Sequence, residues 1–116
     1  MTKNKGKGDC YEVHGNMIVE KYMAHTGDGW FLCHGQAIGR GLIEGIKHGH
    51  SWLEYGDVAF DYSNGINGAI RKQKYYELGQ ITKVVKYTPK QASMLMLKTE
   101  HYGAWNKKER LLVGLK

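Results

Sequence analysis

Apolar and polar positions alternate most regularly around residues 50 to 62. Two aromatic-rich runs, His50-Ser51-Trp52-Leu53-Glu54-Tyr55 and Val58-Ala59-Phe60-Asp61-Tyr62, flank Gly56-Asp57. This pattern predicts a β-hairpin, with Gly at the first central position of a type II′ turn. Tyr55 then faces Val58, Glu54 faces Ala59, Leu53 faces Phe60, and Trp52 faces Asp61. Because side chains alternate along a strand, His50, Trp52 and Asp61 fall on one face. His50 and Asp61 become diagonal neighbours, roughly 7–8 Å apart at the backbone, a gap that an imidazole and a carboxylate can close. A slip of one residue would put them on opposite faces, so the inference depends on the register.

The remaining pattern is read around this hairpin. From Asp9 the spacing becomes helical, with Cys10, Val13, Met17 and Ala24 forming a stripe widened by Ile18 and Tyr22. Asp9 is the expected N-cap and Glu12, three residues on, completes a capping-box-like pair. Gly27-Asp28-Gly29 ends the helix, and 30–38 reads as a strand. Phe31, Cys33, Gly35 and Ala37 lie on one of its faces, with Trp30, Leu32, His34, Gln36 and Ile38 on the other. A Gly-rich connection from Gly39 to Gly49 lacks the Gly-Lys-Ser/Thr ending of a phosphate-binding loop. The stretch from Ser63 to Gly68 is turn-rich, and one or two strands are expected from Lys74 to Tyr87. Thr88-Pro89 opens a last helix running to about His101, with Gly103 stopping it. The sum is an α+β fold: an N-terminal helix carrying a cysteine, a small antiparallel sheet and a C-terminal helix.

Length and charge narrow the setting. A chain of 116 residues suits a single domain with one modest core. It is read as a basic N-terminus over 1–8, a folded domain over 9–102 and a basic tail over 103–116. No apolar run approaches the roughly 20 residues of a membrane span. The lysine-rich start is followed by no apolar segment, so no secretion signal is expected, and neither is a membrane partner. The expected location is cytoplasmic, where both Cys10 and Cys33 stay reduced. The formal charge of +6, with much of it near the termini, points to an acidic partner or surface and to weak nucleic-acid contact through the tails.

The candidate chemistry lies in Cys10, His50 and Asp61. At the start of a helix, Cys10 meets unsatisfied backbone N–H groups and the positive end of the dipole, which favour a thiolate. The same N–H groups can receive an oxyanion when the thiolate attacks a carbonyl. The plainer reading of Cys10 is a small buried residue on an apolar stripe. Cys33, inside an apolar strand, reads as packing. An imidazole oriented by an acid supplies the base a thiol needs.

Taken together, Cys10 opening a helix, the run His50-Ser51-Trp52-Leu53-Glu54 and Asp61 on the next strand resemble the papain-like superfamily. Within it they resemble the transglutaminase-like core, which carries a similar His-Ala-Trp-x-Glu run followed by an Asp. Asp9-Cys10 also resembles the start of the NlpC/P60 cell-wall peptidases, and the whole arrangement resembles small phage-encoded proteins. The resemblance covers roughly residues 9–63. It departs from the family at Tyr62, where transglutaminase-like proteins usually have Pro. It implies a thiol-dependent acyl-transfer enzyme with Cys10 as nucleophile, His50 as base and then acid, and Asp61 as orienter. His14, Trp52 and Gln36 are the expected cleft and substrate-binding residues, a protein or peptide is the expected substrate, and no cofactor is expected. If the chain is phage-encoded, its compartment is the host cytoplasm.

Two rivals come from other classes. Cys10, His14, His48 and His50 make a possible zinc set, although their spacing matches no common zinc signature. A small basic domain with 8 Tyr and 3 Trp also suits a non-enzymatic binding or inhibitor module, acting on nucleic acid or a host protein.

Overall fold

A computed structural model describes residues 10–38, 47–62 and 68–105. The expected basic termini, the Asp9 cap, the Gly-rich connection over 39–46 and the turn-rich loop over 63–67 lie outside the described residues. The element order is α1 (Cys10–Met23), β1 (Trp30–Ile38), β2 (Lys47–Tyr55), β3 (Val58–Asp61), β4 (Gly68–Arg71), α2 (Lys72–Gly79), β5 (Thr82–Tyr87) and α3 (Pro89–Thr99). The strands form one antiparallel sheet in the order β4-β3-β2-β1-β5. This is an α+β fold with a helix at each end of the described chain.

The hairpin forms in the expected register: Tyr55 pairs with Val58, Glu54 with Ala59 and Leu53 with Phe60. Gly56 has φ +59, a left-handed conformation that glycine adopts without a Cβ penalty. Trp30–Ile38 is the strand that its apolar run predicts, pairing with β2 along its whole length from Trp30↔Tyr55 to Ile38↔Lys47. β2 begins at Lys47, inside the stretch expected to be a connection.

Both faces of the sheet are covered. One face places Leu32, Leu53 and Tyr87 against Ile18 of α1 and Ala92 of α3, with Met17, Val85, Leu95 and Met96 around them. The other face places Cys33, Trp52 and Ala59 against Tyr75 of α2, with Ile70, Tyr76, Ile81 and Val84. A central strand with both faces covered is apolar on both. That is why Leu32, Cys33, His34 and Gly35 are buried in succession.

The sequence expectation needs correction in four places. The buried line of α1 is Cys10, His14 and Ile18, with Gly15, rather than Cys10, Val13 and Met17. The reason is that His14 turns inward to make polar contacts. Residues 72–79, expected largely as strand, form α2, whose Gln80 C-cap is left-handed at φ 49. Tyr75 and Tyr76 suit strands in isolation, but here tertiary contacts of both rings and both hydroxyls override that preference. β4 lies where a loop and its exit were expected. The last helix ends at Thr99, where Glu100 takes the left-handed conformation at φ 62, and not at about His101.

The start of α3 is as the sequence predicts. The Thr88 hydroxyl accepts from the Gln91 N–H at 3.1 Å, the Gln91 side chain accepts from the Thr88 N–H at 3.0 Å, and Pro89 takes the first helical position. Replacing Thr88 by Ala removes one half of this box, so Thr88→Ala should cost about 1 kcal/mol in urea unfolding with the slope unchanged.

Candidate active site

Cys10 is the first residue of α1, where backbone N–H groups have no partner within the helix. It is 6% exposed. One turn on, the His14 Nδ1–H donates to the Cys10 carbonyl at 2.9 Å, while the Tyr62 N–H donates to His14 Nε2 at 3.1 Å. An Nε2 that accepts from an amide must present its lone pair, which leaves the ring hydrogen on Nδ1. His14 is fully buried and joins the start of α1 to the end of β3. It was expected in the cleft, and in this structure it fastens the start of α1.

His50 sits on β2 with Asp61 at the end of β3, as the hairpin register requires. His50 Nε2 donates to Asp61 Oδ2 at 2.8 Å. A third group, unforeseen in the sequence, completes this contact. The Tyr75 hydroxyl of α2 donates to the same Asp61 oxygen at 2.5 Å and lies 3.1 Å from His50 Nε2. Trp52 is stacked against His50, with centroids 6.0 Å apart and planes at 24°, and its other flank meets Tyr75. It is fully buried, so this indole packs the imidazole from behind instead of walling an open cleft. Gln36, half-buried, lines a separate cavity of about 290 Å³ with Ala37, Ile38, Gln80, Ile81 and Thr82.

A second buried carboxylate lies further along β2. Glu54 is 2% exposed and accepts from Trp52 Nε1 at 2.9 Å and the Tyr76 hydroxyl at 2.6 Å. Lys86 Nζ is 2.9 Å and Lys72 Nζ 3.8 Å from its other oxygen. Burial alone would raise the Glu54 pKa, but the bonds from Tyr76, Trp52 and Lys86 outweigh it and hold the group below the usual carboxylate range.

The electrostatics bear on Cys33 and His50. Burial pushes the Cys33 thiol far up, and the adjacent Glu54 charge adds to the shift, so Cys33 stays protonated and inert. For His50, burial opposes the charged form. The hydrogen bond to Asp61, followed by the hydrogen bond and charge of Cys10, more than compensates and raises the pKa to about 9. Cys10 and Asp61 therefore act on one imidazole. With Nε2 committed to Asp61, Nδ1 is the nitrogen whose lone pair can take the thiol proton.

The structure thus brings Cys10, His50 and Asp61 together, with His14 and Trp52 buried beside them. Tyr75 was missed because a tyrosine 14 residues beyond Asp61 carries no signal unless α2 is recognised. Of the four residues in the zinc alternative, the His48 side chain lies outside the described residues. Among those described, no group of three or more His, Cys, Asp or Glu is placed to hold a metal ion. No described helix is long and apolar enough to cross a membrane. Comparison with protein-family models, with curated proteins and with solved structures found no match to this chain.

The raised His50 pKa has a consequence for stability. Protonated His50 is favoured in the folded state, so its contribution is fully present below the unfolded value of about 6.5 and is lost as pH rises through about 9. Urea unfolding of wild type and His50→Gln from pH 6 to 10 should show their stability difference shrinking across that window.

Proposed function

We propose that this protein is a cysteine-dependent acyl-transfer enzyme with Cys10 as nucleophile, His50 as proton carrier and Asp61 as orienter. One observation carries the reading: a buried imidazole is held by a carboxylate at Nε2 and coupled to a thiol that opens a helix. A core residue needs none of that arrangement, whereas a base held by a third group beside a thiol is what activates a nucleophile. The order of helix-borne Cys, strand-borne His and next-strand Asp, similar to the transglutaminase-like core, lends support.

The geometry supports a sequence of steps. His50 Nδ1 takes the Cys10 proton, and Asp61 stabilises the imidazolium through Nε2–H. The thiolate attacks the carbonyl carbon of an amide or ester, and the resulting oxyanion is received by backbone N–H groups at the positive end of α1. Collapse of the adduct breaks the bond to the leaving amine or alcohol, which receives the proton from His50. A thioester remains on Cys10. Water or an amine, deprotonated by His50, then attacks the thioester and restores the thiol. Cys10 and His50 are each 6% exposed, so the reacting carbonyl arrives on a slender, extended chain, which suits a protein or peptide segment.

Alkylation by iodoacetamide tests this without a known substrate. Cys10 should react at pH 6 to 7 at least tenfold faster than a free thiol of pKa about 8.5, and His50→Ala should abolish the advantage. Cys33 should remain unmodified until the protein is unfolded. A Cys10 rate equal to that of a model thiol would overturn the proposal.

A further inference from the structure

We infer that Tyr75 is a positioning residue of this site: its hydroxyl holds the Asp61 carboxylate and thereby sets how strongly Asp61 grips His50. This rests on the acyl-transfer reading for its catalytic meaning, while its effect on the imidazole can be measured without it.

The geometry is that of three polar groups at one oxygen. Asp61 Oδ2 accepts from Tyr75 at 2.5 Å and from His50 Nε2 at 2.8 Å, and the Tyr75 oxygen stands 3.1 Å from the same nitrogen. The Tyr75 hydrogen points at Asp61, so its oxygen lone pairs remain toward His50 Nε2–H. The imidazole hydrogen is therefore shared between the carboxylate and the phenol oxygen. Asp61 is fully buried and Tyr75 is 8% exposed. At such burial a carboxylate needs donors to remain ionised. Burial and the Asp61 charge drive the Tyr75 pKa far above its ordinary value, so the phenol remains a donor throughout the working range of pH.

A second feature indicates that this contact is built into the fold. Tyr75 and Tyr76 are adjacent on α2, and each donates to a different buried carboxylate, Tyr75 to Asp61 and Tyr76 to Glu54. Both rings pack against Trp52, whose indole lies against His50, and against each other, with centroids 6.5 Å apart. α2 is thereby fixed to the sheet at two polar points, and rotation about its axis would break both.

The charge consequence has a definite sign. A donor to Asp61 withdraws negative charge that would otherwise act on His50. Removing it costs His50 a weak neutral acceptor at 3.1 Å but makes the charged Asp61 oxygen at 2.8 Å a stronger one, and the charged partner outweighs the neutral one, so the imidazolium is held more tightly and its pKa rises. The groups acting on His50 are Cys10 from α1, Asp61 from β3 and Tyr75 from α2, while His14 of α1 lies 3.9 Å from the other Asp61 oxygen. Cys33 of β1 also acts on Tyr75. Tyr75→Phe alters only the hydroxyl among them and keeps the ring on Trp52.

The test is an NMR titration of the His50 imidazole in full-length wild type and Tyr75→Phe, with alkylation of Cys10 by iodoacetate followed over the same pH range. Iodoacetate is anionic, so its rate falls when His50 loses its proton, and wild type should give a bell whose alkaline limb lies near pH 9. In Tyr75→Phe the His50 titration and the alkaline limb should move up together by about half to one pH unit. The plateau rate should fall several-fold because Asp61 is less well oriented. Site-specific 3-fluorotyrosine at position 75, a stronger donor, should move both the other way. A His50 titration that stays in place or moves down in Tyr75→Phe would overturn the inference, even if the variant is less stable. Failure of the acyl-transfer reading looks different: wild-type Cys10 would react slowly and without a bell, while the His50 titration would still report on Tyr75.

Discussion

Burying the Asp61 carboxylate is the constraint on which the rest of the site depends. An ionised carboxyl with no exposed surface is tolerable only when donors surround it. Here the donors are the His50 ring from β2 and the Tyr75 hydroxyl from α2, with the His14 ring of α1 3.9 Å from the other oxygen. One side chain therefore fixes where β2 and α2 stand relative to the end of β3. Asp61 works outward from there. By gripping Nε2 it sets the face of the imidazole that Cys10 meets, and through His14 and the Tyr62 amide the end of its strand is fastened to the start of α1.

Glu54 repeats the arrangement further along the same strand. It too is buried, it too takes a tyrosine hydroxyl from α2, and Trp52 lies between the two carboxylates with its N–H on one and its ring beside the other's histidine. The difference is in the counter-charge. Glu54 has Lys86 and Lys72, permanent cations at the protein's rim, whereas Asp61 has an imidazole that can gain and lose a proton. The same construction is completed by lysines in one place and by an imidazole in the other. The two cysteines differ in their neighbours: Cys33 is silenced chiefly by burial, with Glu54 adding to it, while Cys10 adjoins His50.

The hairpin was legible in the sequence because its turn chemistry and period-2 alternation agree, and the pairing of Leu53 with Phe60 follows from counting outward from Gly56-Asp57. The meeting of His50 with Asp61 came with it. The cap of α3 was legible from Thr88-Pro89 for the same local reason. What could not be read depended on distant partners. Tyr75 and Tyr76 look like strand residues until Asp61, Glu54 and Trp52 are in place to receive them, so α2 and its part in the site were hidden together. His14 broke the apolar stripe expected of α1, since its burial is justified only by the Cys10 carbonyl and the Tyr62 amide. Trp52 reads as a cleft wall when the hairpin is considered alone, and α2 then covers it.

The spacing of the site along the chain also bears on how the protein acquires it. His50 and Asp61 are 11 residues apart, and Tyr75 lies 14 beyond Asp61. Short loops cost little entropy to close, and local contacts form early in folding. Cys10 lies well before this group in sequence and reaches it only when α1 docks on the sheet. The hairpin and α2 can thus gather His50, Asp61 and Tyr75 as a local unit, with Cys10 added last. A nascent chain carries Cys10 out before His50 and Asp61 are made, so the three cannot meet until β3 has been synthesised.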